Sequence, residues 1–157
     1  MDLQAQVQFL IDNAPQDGIT PQLVAAIAPE LIKIAQQLRF PEYYILQNLE
    51  HDWVLTTLSH RTNPRQLRQV IYAYPTLQDV STTSGVGLDP QMIAAPMGVI
   101  EILFQTIALE PVDSIIFFNI PGTTANAVEI KRSQLQTIIQ RSLQQNRPSP
   151  NIPPNIA

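Results

Sequence analysis

Apolar positions recur at helical spacing over the first forty residues. Leu3, Val7, Leu10 and Ile11 share one face of a helix over residues 2–13, with Asp2 placed to cap it. Asn13-Ala-Pro15-Gln-Asp17-Gly18 breaks the pattern as a turn. Thr20-Pro21 then sets a capping hydroxyl before a proline at the first helical position. Leu23, Ile27, Leu31, Ile34 and Leu38 carry a second stripe as far as Phe40. Pro29 lies inside it. Proline lacks a backbone N–H and its ring crowds the carbonyl four residues earlier, so a kink, or two helices meeting near Ala28, is predicted.

The period changes at Tyr43. Segments 43–49 and 53–59 are rich in aromatic and β-branched residues and flank the polar Glu50-His51-Asp52, the pattern of a hairpin. After a turn at Arg61-Thr-Asn-Pro64, residues 69–74 form a third strand closed by Pro75, completing an antiparallel meander. Residues 77–89, polar and glycine-bearing, predict a loop. The run 92–109 (MIAAPMGVIEILFQTIAL) predicts an apolar helix starting near Gln91 or Pro96. Residues 114–119 form the strongest strand pattern, and the turn at Pro121-Gly122 leads to a short strand over 127–130. The same Val-Glu-Ile-Lys stretch also suits a backward extension of the last helix. Ser133-Gln-Leu-Gln136 is a capping box that opens this helix, whose apolar face is Leu135, Ile138, Ile139 and Leu143.

The resulting order, αα-βββ-α-ββ-α, predicts one α+β domain over residues 1–146. Its antiparallel sheet has about five strands, with helices mainly on one face. Four prolines in residues 147–157 predict an extended tail, and its Arg147-Pro-Ser-Pro150-Asn-Ile-Pro153 fits the form of proline-rich ligands.

Composition narrows the chemistry. The chain has 157 residues, 45% hydrophobic and 14% charged, which suits one folded domain rather than a disordered acidic chain. The lack of cysteine excludes disulfide frameworks, thiolate metal sites, iron–sulfur clusters and thiol nucleophiles. Two histidines cannot build an all-histidine metal site. The acidic start, Met1-Asp2, does not read as a secretory leader. The run 92–109 is interrupted by Pro96, Glu101 and Gln105 and reads as a buried helix rather than a membrane span. A cytoplasmic protein is expected. A net charge of −4 with few clustered arginines argues against a nucleic-acid partner.

Five features bear on a site. Glu50-His51-Asp52 is the densest titratable cluster, but in a hairpin turn all three face water. His60, Arg61, Arg65 and Arg68 form a small basic patch suited to an anion or an acidic partner. Ser84-Gly85-Val-Gly87 lacks both a third glycine and a phosphate-binding lysine, and no G-x-S-x-G is present. Glu101 sits among isoleucines with Gln105 one turn away. Finally, Tyr43, Tyr44, Trp53, Tyr72 and Tyr74 crowd one hairpin system, and a sheet face left uncovered there presents an apolar patch.

These observations predict a non-catalytic interaction domain, an accessory factor or scaffold subunit, that binds another protein or itself. They predict no cofactor and no metal. The alternative is a small enzyme or ligand-binding domain with a pocket near residues 50–52, 60–68 and 81–89.

Overall fold

A computed structural model describes residues 2–59, 62–63, 65–84 and 90–145. Helix α1 (Leu3–Asn13) starts where expected, with Asp2 Oδ1 accepting from the Ala5 N–H at 2.7 Å. Helix α2 (Thr20–Ala35) is capped from further back. Asp17 Oδ1 accepts from the Ile19 and Thr20 N–H groups, each at 2.8 Å, and Oδ2 accepts from the Thr20 hydroxyl. The helix runs through Pro29 without dividing at Ala28. Burial of Val24, Ile27, Leu31 and Ala35 along one stripe offsets the hydrogen bond that Pro29 cannot make.

Strands β1 (Glu42–Asn48), β2 (Thr56–Ser59) and β3 (Leu67–Tyr74) follow. The expected hairpin turn is present. Gln47 bridges Trp53, the Val54 N–H donates to the Leu46 carbonyl, and His51 takes the left-handed conformation (φ 68°). Asn48 Oδ1 accepts from the Glu50 and Asp52 N–H groups and fixes the turn. The meander is only partial. β2 pairs with residues 67–70 of β3, while β1 pairs directly with β3 at Tyr44↔Tyr74 and Ile45↔Ala73.

Two expectations are overturned after β3. Residues 77–84 form helix α3 (Leu77–Ser84), not a loop. The Thr76 hydroxyl accepts from the Asp79 N–H at 3.1 Å and donates to Asp79 Oδ2 at 2.5 Å, a variant of the capping box in which the carboxylate meets the capping hydroxyl. The apolar run also divides. Met92–Gly98 is strand β4, paired along its whole length with β1, and only Val99–Ala108 is helical, as α4. Strand β5 (Ser114–Phe118) then returns parallel to β3, and β6 (Ala127–Lys131) pairs antiparallel with β5. Helix α5 (Arg132–Gln145) begins one residue earlier than its sequence signal. Gln134, rather than Gln136, reaches back to accept from the Lys131 N–H at 2.9 Å.

The fold is therefore α+β with a mixed six-stranded sheet in the order β4-β1-β3-β5-β6, β2 lying beside β3. It is not a purely antiparallel five-stranded one. The chain leaves β3, forms β4 on the far side of β1 and recrosses through α4, so the strand next in space to β3 is distant in sequence.

Helices α1, α2, α4 and α5 pack together on one side of the sheet. Ile27, Leu31, Ile100, Ile102, Ile115 and Phe117 are fully buried there. Gln6 joins the helices to the sheet edge: its amide donates to the Pro41 carbonyl at 2.8 Å and its Oε1 accepts from the Ile100 N–H at 3.0 Å. The Arg132 guanidinium donates twice to the Ile107 carbonyl at the other end of α4. A cation there complements the helix dipole.

Candidate functional site

Alternation along the strands sorts the aromatic residues onto opposite faces. Tyr43 points to the helix side and is fully buried, in edge-to-face contact with Phe117 at 5.0 Å. Its hydroxyl donates to Asn119 Oδ1 at 2.9 Å. Burial raises its pKa above the ordinary tyrosine value. The expectation that Tyr43 belongs to an interaction surface is thus corrected: it is a core residue. Trp53, opposite Gln47, also packs against the helix-side core and is half-buried.

Tyr44, Tyr72 and Tyr74 lie on the other face. Their cluster includes Leu46 and Phe118, with Val54, Ala94 and Ile116 packed against it. Tyr72 stacks on Phe118 at a centroid distance of 5.4 Å, and Tyr74 meets the same ring at 5.5 Å. Tyr74 is buried, and desolvation, reinforced by Tyr72, pushes its pKa up to about 12. Tyr44, Tyr72 and Ile116 remain half-buried. Among the described residues, α3 is the one helix packed on this face, through Val80. The other four helices lie on the opposite side. Among the described residues, the aromatic patch thus stands on central strands and is incompletely covered.

A polar rim adjoins it. Arg68 pairs with Glu129 across the sheet, and the Ser114 hydroxyl donates to the same carboxylate at 2.6 Å. Arg68 is therefore neutralised within the chain. Arg65 is exposed, and its N–H is held by Asn63 Oδ1. His60 and Arg61 lie outside the described residues, as do Gly85, Gly87 and the proline-rich tail. Of the expected basic patch, the described residues are the exposed Arg65 and the paired Arg68.

Among the described residues, the candidate catalytic groups do not converge. Glu50, His51 and Asp52 are exposed in the turn after β1. Glu101 follows β4 near Gly98, which pairs with Glu42 at the start of β1. The seven-residue length of β1 separates these two places, roughly 20 Å at strand spacing. Glu101 accepts from the Gln105 amide at 3.0 Å, an intrahelical contact. No group of three or more metal-ligating side chains occurs among the described residues. Among them, no helix is long and apolar enough to cross a membrane.

Sequence reasoning missed Asp79, Ile116 and Phe118. Asp79 is buried, and its Oδ1 accepts from the Gly122 N–H at 2.7 Å, tying α3 to the β5–β6 connection. Its signal is the Thr-x-x-Asp spacing after Pro75. Ile116 and Phe118 follow from alternation in Ser114-Ile-Ile-Phe-Phe118, since both sides of a central strand are apolar. The chain matches no family model, and no curated protein shows significant similarity to it.

Proposed function

We propose that this chain is a non-catalytic interaction domain, acting as an accessory or scaffold subunit, that docks another protein or a second copy on the open sheet face. One observation carries the reading: four helices cover one side of the sheet, while a stacked aromatic cluster on the other keeps Tyr44, Tyr72 and Ile116 half-exposed. Aromatic side chains offer large contact area at low entropic cost, which suits them to the centre of an interface. Arg65 and the Arg68–Glu129 pair supply a polar rim.

The test compares wild type with Tyr72→Lys, which places a charge at the middle of the patch. Light scattering reports self-association, and capture from the native host followed by mass spectrometry reports a partner. A stoichiometric partner or a homodimer that Tyr72→Lys abolishes supports the reading. A monomer without a partner, or a complex indifferent to Tyr72→Lys, overturns it.

A further inference from the structure

The two outer strands of the sheet differ sharply. β6 is a five-residue strand bearing Glu129 and Lys131. β4 has seven residues, Met-Ile-Ala-Ala-Pro-Met-Gly, and no charge. Charges, short length and proline are the usual devices that keep an edge from pairing with other chains. Of these, β4 has only Pro96.

That proline fixes which backbone groups face outward. Pro96 is opposite Tyr44 and has no N–H, so this must be a position where the ladder to β1 makes no hydrogen bond. The other side of β1 agrees: Leu46 and Asn48 direct their backbone groups to the hairpin, leaving residues 43, 45 and 47 to bond β4. Met92 and Ala94 therefore present N–H and C=O groups to the open edge, and Pro96 presents a C=O. This is a docking edge for an extended segment.

A groove of about 190 Å³ lies at the Gly98 end of that edge, lined by Gln6, Phe9, Glu42, Pro96, Met97 and Glu101. Phe9 is 49% exposed. Neither Glu42 nor Glu101 has a cationic partner among the described residues, whose ion pairs are Lys33–Glu30 and Arg68–Glu129. Two carboxylates beside an exposed aromatic ring suit a cationic side chain. The net charge of −4 draws basic partners in general.

We infer that β4 accepts an extended segment of a partner protein as an added strand, and that this segment carries a Lys or Arg seated in the groove between Glu42, Glu101 and Phe9. The site is the outward backbone edge of β4 with the groove at its Gly98 end; Ala94 also touches the aromatic cluster, so Tyr72→Lys is carried alongside to tell edge binding from binding on the open face.

The experiment selects random heptapeptides on the full chain and resynthesises the tightest binder. The expected binder holds a Lys or Arg among apolar and β-branched residues, and replacing that residue by glutamine weakens binding roughly tenfold. The double variant Glu42→Lys/Glu101→Lys, which reverses one exposed and one half-buried carboxylate, weakens it similarly, with the urea midpoint of the fold as the control. Ala94→Pro removes an outward donor without touching the ladder to β1 and has the same effect. The inference is overturned by an absence of binders, by binders without a basic residue, or by binding that the charge-reversed variant retains. Binding that Tyr72→Lys abolishes and Ala94→Pro spares also overturns it, by assigning the peptide to the open face. A concentration-dependent dimer lost in Ala94→Pro gives the edge to a second copy and likewise excludes the basic segment.

Discussion

Gln6 is a buried amide on an amphipathic helix, and its partners are remote: the Pro41 carbonyl and the Ile100 N–H. Nothing local in the sequence signals such a role. It explains Gly98, whose backbone (φ −65°) any residue adopts. A Cβ there would lie 2.6 Å from Gln6 Oε1. Space, not conformation, requires the glycine. Gln6→Ala leaves the Ile100 N–H buried without this acceptor, at a cost of roughly 1–3 kcal/mol. Gly98→Ala forces the amide aside and costs a similar amount. In the double variant the two costs do not add, because both break one contact, and a double-mutant cycle in urea measures the difference. Asp17 is the other residue with a distinct signature. Hydrogen bonds from Thr20 and Ile19 lower its pKa from 3.8 to about 2. A depressed folded-state pKa means its contribution is complete above the unfolded value and is lost as pH falls through the folded one. The stability gap between wild type and Asp17→Asn therefore narrows between pH 4 and pH 2, read as converging urea midpoints.

At the scale of elements, the sequence was most legible where a local signal and the tertiary setting agree. The cap of α1, the turn at residues 50–52 and the strand at 114–118 are of this kind, whereas the α2 cap falls to Asp17 rather than to the Thr20 hydroxyl that the sequence suggests. It was least legible over residues 92–109. A short apolar run suits a buried strand and a buried helix equally, and here it contains both. Pro96 and Gly98 marked the boundary, but only pairing with β1 makes the first half a strand. Parallel pairing of β3 with β5 is illegible for a related reason: chain order suggests that neighbouring strands pair, whereas α3, β4 and α4 intervene between these two. Helix α3 was hidden by its polar composition, although its capping box was present. That box also anchors the β5–β6 connection, where Gly122 takes φ 86° and donates to Asp79. Asp79→Ala removes the acceptor for the Gly122 N–H and the partner of the Thr76 hydroxyl together, and costs roughly 1–3 kcal/mol. Amide exchange at Gly122 accelerates in this variant while that of the central strand β3 follows only the global loss.

For the whole molecule, the governing property is the unequal covering of a sheet that is apolar on both sides. The candidate patch was half legible. Composition located the aromatics, but the faces depend on register, which places Tyr43 and Trp53 on the helix side and brings Ile116 and Phe118 to the tyrosines. β5 holds a direct test in adjacent residues. Ile115 is fully buried under the helices, whereas Ile116 is half-buried on the open face. Both are isoleucines on one strand, so propensity and backbone are matched. Ile115→Ala leaves a cavity in a closed core and costs roughly 2–5 kcal/mol. Ile116→Ala loses part of an already exposed surface and costs about 1 kcal/mol in the isolated chain. If the open face is a docking surface, the order reverses for binding: Ile116→Ala weakens the complex with the captured partner, and Ile115→Ala, assayed while still folded, does not. Equal costs in urea would mean that the second face is as closed as the first, and the interaction reading would lose its physical basis.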